Sequence, residues 1–239
     1  MLWMKNWLET RFRFFMVFTP FLLLIGMGFL QVGHVRPNTL IPAEQRLSGI
    51  LAIFTLFWLV PGAMLASAGI KTQAPLQATK GLHGSVHFTL SLPVSRIRLL
   101  CSRAGLGVLE MAIVILVALI GFGFLIPLQF PELRLPPTDF VLYGVTVFAF
   151  DLAVYSLSTL LATFMDDLWQ MWGAMLAVGA VRGLTALVKP PQSMDVFQAL
   201  GANSSLLTHS LPVWPVVLSL AVAACLYSAA ARNVRERDY

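Results

Sequence analysis

Side chains able to do chemistry are sparse in this 239-residue chain, and their spacing narrows what they can do. The histidines are His34, His83, His87 and His209. His83 and His87 are four apart and could share one helix face as metal ligands, but no carboxylate or cysteine nearby completes a set. Cys101 and Cys225 have no partner at metal spacing and read as small packing residues. A serine nucleophile needs a base at matching depth, and no G-x-S-x-G occurs. The nearest fragment to a phosphate-binding G-x-x-x-x-G-K-[ST] loop is Gly69-Ile70-Lys71-Thr72, with Ile70 where the second glycine belongs. Asp166-Asp167 alone is too little acid for a phospholipid synthase. No catalytic residue, no metal site and no cofactor are therefore expected on this chain. Three charges stand out instead: Glu110, Asp151 and Arg182, each inside a long apolar run. Charges at such depth are costly, usually face a bundle interior, and are either functional groups or structural pairs.

The elements that must carry these charges follow from composition. Hydrophobic residues make up 58% and charged residues 11%, against about 25% charged in a typical soluble domain. Mean hydropathy is +0.80. A water-soluble fold could not cover its surface with so few charges, so lipid is the expected solvent. The net charge of +5 does not point to nucleic acid, because the basic residues cluster in short segments between apolar runs.

A helix needs roughly 20 apolar residues to cross a hydrocarbon core of about 30 Å. Six stretches qualify, near residues 14–33, 48–70, 104–126, 139–164, 171–188 and 214–231. They lack the two-residue alternation of a barrel strand. The first has no A-x-A cleavage site after it and reads as a retained span. The expected fold class is thus all-α, a polytopic membrane protein with six transmembrane helices. Lys5, Arg11, Arg13, Lys71, Lys80, Arg96, Arg98, Arg103, Arg232, Arg235 and Arg237 fall on one side. Only Arg36, Arg46, Arg134 and Lys189 fall on the other, which places both termini in the cytoplasm.

Residues 1–13 read as an amphipathic helix lying in the headgroup layer. Trp3, Trp7 and Phe14 share a face with Met4, Leu8 and Phe15, and basic residues lie opposite. The longest cytoplasmic segment is 71–103. Within it Val86, Phe88, Leu90 and Leu92 build an apolar strip at helical spacing, although a short strand suits the same alternation. Pro93 ends that element, and Ser95 can cap a helix running from Arg96 into the third span. Arg96, Arg98 and Arg103 then make a basic surface just inside the membrane, fit for lipid phosphates or for a docked protein. On the outer side, Val196–Leu200 reads as a short helix. Asp151 and Arg182 lie at depths about 6 Å apart on neighbouring antiparallel spans, which is consistent with a buried pair.

The stretch Leu90-Ser91-Leu92-Pro93-Val94-Ser95-Arg96-Ile97-Arg98-Leu99-Leu100-Cys101-Ser102-Arg103 resembles the permease subunits of type-2 ATP-binding-cassette (ABC) transporters. In that family a pattern like L-P-V-S-R-x-x-L-L-x-x-[KR] closes the first cytoplasmic loop and leads into the third span. Six spans, internal termini, an amphipathic N-terminal helix and a long final outer loop are similar to the family over nearly the whole chain, as one permease domain, 1–239. The resemblance implies that ATP and magnesium are bound by a separate ABC ATPase subunit. It makes Leu82–Leu92 a coupling helix docking on that ATPase, so Val86, Phe88, Leu90, Leu92, Pro93, Arg96, Arg98 and Arg103 become coupling residues. It also implies a second permease copy, identical or a paralogue, an export pathway between the two, and a plasma (inner) membrane location. The competing reading is a six-span membrane enzyme or assembly factor with no ATPase partner. The cargo is not legible in the sequence.

Overall fold

The computed structural model describes residues 2–31, 41–66, 95–165 and 167–236. Among them every regular element is an α-helix and no strand occurs. In chain order these are α1 (Leu2–Gln31), α2 (Ala43–Phe57), α3 (Leu59–Leu65), α4 (Arg96–Gln129) and α5 (Pro137–Ala162). Then follow α6 (Asp167–Val188), α7 (Val196–Leu200), α8 (Ser205–Thr208) and α9 (Val213–Glu236). Five helical stretches are long and apolar enough to cross a membrane: Ala43–Leu65, Arg96–Gln129, Pro137–Ala162, Trp169–Val188 and Val213–Glu236. Among its described residues the chain is all-helical, and these apolar helices are those of a membrane protein. The remaining expected span, 14–33, falls on the second half of α1 and runs past the described residues.

Helix α5 is the hub. It packs against α9, α3, α6 and α4, and small residues such as Gly144, Ala149 and Ser158 keep its neighbours close. Pro137 opens it at N1, where the missing N–H costs nothing, and Asp139 sits in its first turn. About 56% of its most apolar window is buried, against 11% for α6, so α6 is the face turned outward. Trp169, Trp172, Leu176 and Leu187 on α6 are exposed, which lipid tolerates. The core is centred on buried Trp58, which packs near Phe21 and edge-on to Phe122, with Phe54 also edge-on to Phe122.

Helix α4 starts where expected, with Ser95 as its cap: the Ser95 Oγ accepts from the Arg98 N–H at 3.3 Å. Its 34 residues span about 51 Å, well over a hydrocarbon core, so one end extends past the lipid core. Helix α1 differs from expectation. Residues 2–13 are not set off as a separate element; they continue as one helix to Gln31, with Pro20 inside it. Its packed stripe, Asn6, Thr10, Phe14, Val17 and Phe21, recurs every three or four residues and faces α4. Trp3, Met4, Leu8 and Phe15 point outward as expected, whereas Phe14 turns into the core.

Candidate functional site

The coupling residues divide. Val86, Phe88, Leu90, Leu92 and Pro93 lie outside the described residues. Arg96 and Arg98 sit in the first turn of α4, half-buried and exposed respectively. Arg103 is a correction: it is 2% exposed and belongs to no surface. It falls on the buried stripe of α4, Leu99, Leu100, Arg103, Leu106, Gly107 and Glu110, and its Nη1 donates to the Asn6 carbonyl at 2.9 Å. The same seam continues along α1 and α4. Asn6 Nδ2 donates to Ser102 Oγ at 3.2 Å, and Thr10 Oγ1 donates to Glu110 Oε1 at 2.6 Å. Glu110 Oε2 has no hydrogen-bond partner among the described residues. Between Arg103 and Glu110, Gly107 leaves room for Tyr155: a Cβ there would stand 2.8 Å from Tyr155 Cε2. The Tyr155 hydroxyl in turn donates to the Ala104 carbonyl at 3.3 Å. Arg103 and Glu110 thus tie α1 to the N-terminal half of α4, and Tyr155 ties α5 to it.

Asp151 does not pair with Arg182. Pro61 has no N–H, which interrupts the backbone ladder of the second span at the Phe57 carbonyl. The chain turns from α2 into α3 at Trp58. Asp151, fully buried on α5, accepts the Gly62 N–H on Oδ1 at 2.9 Å, and its Oδ2 has no partner among the described residues. Ser158 Oγ donates to the Ala63 carbonyl at 2.9 Å and Gln170 Nε2 to the Ala66 carbonyl at 2.8 Å. Side chains of α5 and α6 therefore serve the backbone groups of the broken helix, the condition on which a break is tolerated in lipid. Gly62 must stay small, since a Cβ there would lie 2.6 Å from the Asp151 carbonyl oxygen and 3.0 Å from the Tyr155 nitrogen.

Arg182 faces a different neighbour. Its guanidinium lies over the Phe197 ring, 5.5 Å from the centroid. It lines a cavity of about 540 Å³ with Thr185, Lys189, Asp195, Phe197 and Gln198. Positions 182 and 185 share one face of α6, and Lys189 follows its last residue with a φ of 49°. Asp195 caps α7, accepting from the Phe197 and Gln198 N–H groups at 2.9 and 3.3 Å. Among the described residues neither Arg182 nor Lys189 makes an ion pair. Two further links brace the same end of the bundle. Arg46 pairs with Glu132 at 2.6 Å, and Tyr143 accepts from Trp58 Nε1 and donates to the Leu200 carbonyl, both at 3.3 Å.

Compared with family models, curated proteins and solved structures, the chain matches none. Its geometry therefore has to speak for itself. Among the described residues no group of three His, Cys, Asp or Glu gathers that could hold a metal ion.

Sequence reasoning passed over several of these groups. Pro61-Gly62 in the middle of an apolar run signals a break and a close approach, and it predicts a polar side chain opposite. Lys189 was legible as the i+7 partner of Arg182. Asn6 and Thr10 carried a weaker signal, lying among aromatics on a segment read by its apolar face. The contact between His209 and the buried Asp139, 70 residues apart, had no local signature.

Proposed function

We propose that this chain is the membrane-spanning permease subunit of an ATP-driven exporter of the type-2 ABC kind, working with a separate ATPase subunit. The observation that carries the reading is the sequence Leu92-Pro93-Val94-Ser95-Arg96-Ile97-Arg98-Leu99-Leu100 with Arg103, whose described part, from Ser95 on, opens the 34-residue α4. Several features support it. The pattern stands where a cytoplasmic segment enters a span, and Ser95 fixes the start of α4. The extra length of α4 gives a lever reaching beyond the lipid core toward a cytoplasmic partner. The Asn6–Arg103 and Thr10–Glu110 contacts couple that lever to α1, so a push at its inner end would be shared by both helices. In this reading α1 supplies a sixth span, residues 1–13 meet the cytoplasmic headgroups, and both termini lie in the cytoplasm of a plasma-membrane protein. Two copies, or one copy and a paralogue, form the pathway. Closure of the ATPase dimer on ATP biases the permease pair between two states.

The test is purification of the tagged chain in mild detergent from its native membrane. A co-purifying chain that carries G-x-x-x-x-G-K-[ST] and hydrolyses ATP is expected. Phe88→Asp with Leu92→Asp should remove that chain while leaving membrane insertion intact. Retention of the ATPase and of transport by the double variant would overturn the coupling assignment. Failure of any ATPase to co-purify with the unaltered chain would overturn the permease reading.

A further inference from the structure

The cavity under Arg182 adjoins a second, apolar one. That groove, about 250 Å³, runs between α5, α6 and α9 along Val154, Leu157, Val181, Leu218 and Val222. The two share Thr185, Asp195 and Phe197 as a common wall. One compartment therefore has two cations and several hydroxyl and amide groups, and the other is hydrocarbon in character. Their order along α6 is fixed by sequence. Lys189 is outermost, Arg182 lies about 10 Å deeper, and Val178 on the groove wall lies about 6 Å deeper still. On α9 the groove runs from Leu218 to Leu226, about 12 Å along the helix.

We infer that this pair of cavities binds an anionic amphiphile with a single long alkyl chain or more, its headgroup between Arg182 and Lys189 and its chain in the α5–α6–α9 groove. Charge decides the headgroup. Against the two cations stands one carboxylate, Asp195, and its Oδ1 is engaged by two backbone N–H groups. The Arg182 guanidinium lies over the Phe197 ring and makes no ion pair among the described residues, which leaves its N–H groups to donate to an oxyanion. Thr185 and Gln198 add polar groups at the rim of the same space. The groove decides the tail, because an apolar slot opening from a cationic chamber and running parallel to the spans matches a lipid lying along its membrane normal. Binding stands on the cavity alone; that the amphiphile is the exported cargo rests on the permease reading.

The experiment uses the full chain, purified in dodecyl maltoside without any ATPase, and a fluorescent phosphatidylglycerol as reporter. Dodecyl phosphate, dodecylphosphocholine and inorganic phosphate compete against it. Dodecyl phosphate should displace the reporter at least about tenfold more effectively than dodecylphosphocholine, and inorganic phosphate should not displace it. Arg182→Gln with Lys189→Gln should weaken dodecyl phosphate by about tenfold or more, while Arg182→Lys, which keeps the charge, retains most of the binding. Val222→Trp, at an exposed groove position, should weaken the amphiphile by obstructing its chain. Melting curves of each variant establish that it is folded. Equal competition by dodecylphosphocholine would overturn the charged headgroup site. Equal competition by inorganic phosphate would reduce the site to a free anion's. Unchanged binding in the folded Gln double variant would overturn the assignment altogether. None of these results depends on an ATPase, so failure here leaves the permease reading standing, and the reverse holds too.

Discussion

Replacing Asp151 by Leu tests whether its carboxylate serves the backbone of α3 or an ion pair. The variant removes the side-chain acceptor of the Gly62 N–H, 2.9 Å away. A replaceable hydrogen bond inside a membrane protein is worth about 0.6 kcal/mol, whereas a buried donor left without a partner costs about 1–3 kcal/mol. The Gly62 N–H keeps the Trp58 carbonyl, four residues earlier in the helix, as an alternative acceptor, so the loss lies at about 1 kcal/mol. By the scaling for chains of this size, that lowers the thermal midpoint by roughly 2–4 °C. Asp151→Asn keeps an acceptor at the same place and should lose well under half of that. Gly62→Ala is a separate perturbation. Its Cβ meets the Asp151 carbonyl oxygen and the Tyr155 nitrogen, which are backbone atoms and cannot rotate away. Overpacking of this kind costs about 1–3 kcal/mol, and it should persist in an Asp151→Ala background. The assay is thermal unfolding in one detergent, read by far-ultraviolet circular dichroism and checked by protease resistance. An Asp151→Leu protein as stable as the unaltered chain, or an Asn variant as damaged as the Leu variant, would refute the backbone role.

Asp151→Asn and Arg182→Gln should be additive within about 0.5 kcal/mol, since the two side chains serve different elements; a strong double-mutant coupling in unfolding would restore the pair. Thr10→Val should cost about 1.5–3 kcal/mol in the same melting assay, because it strips Glu110 of its hydrogen-bonded hydroxyl. Glu132→Gln should cost at most about 1 kcal/mol, because that carboxylate is half-exposed in its pair with Arg46. In a background lacking Cys101 and Cys225, cysteines at Glu132 and Gln192 should react with an impermeant maleimide in intact cells, while one at Arg232 should not; labelling at position 232 would overturn the orientation.

Much of the scaffold was legible because lipid imposes a simple rule on sequence. Continuous apolar runs gave the helices now seen as α4, α5, α6 and α9, with ends a few residues away, and Ser95 announced the start of α4. The length of the segment after Lys189, together with its apolar-polar run, also marked Val196–Leu200 as a short helix. What period and hydropathy could not convey was which face turns inward. Residues 2–13 illustrate this. Their aromatics signalled a lipid-facing stripe correctly at Trp3, Met4, Leu8 and Phe15, yet the informative side was the polar one, where Asn6 and Thr10 meet α4. Arg103 was misplaced for the same reason. Counting basic residues puts it with Arg96 and Arg98, but helical phase puts it with Leu99, Gly107 and Glu110.

The intramembrane charges show a second limit. Depth arguments treat each charge as a burden needing an opposite charge, and on that basis Asp151 and Arg182 were natural partners. The structure gives each a cheaper solution. A backbone N–H in the first turns of a proline-interrupted helix can donate to a buried carboxyl oxygen, and Asp151 lies where Gly62 offers one. An aromatic face is a partner for a guanidinium that needs no second charge, and Phe197 offers that to Arg182 from a helix outside the main spans. Pro61-Gly62 links the first case to other residues as well. Asp151 meets α3 at Gly62, and Ser158 and Gln170 take the Ala63 and Ala66 carbonyls at its C-terminal end, where the helix itself supplies no donor. A polar side chain deep in an apolar helix is thus better matched first against breaks in neighbouring helices, and only then against opposite charges.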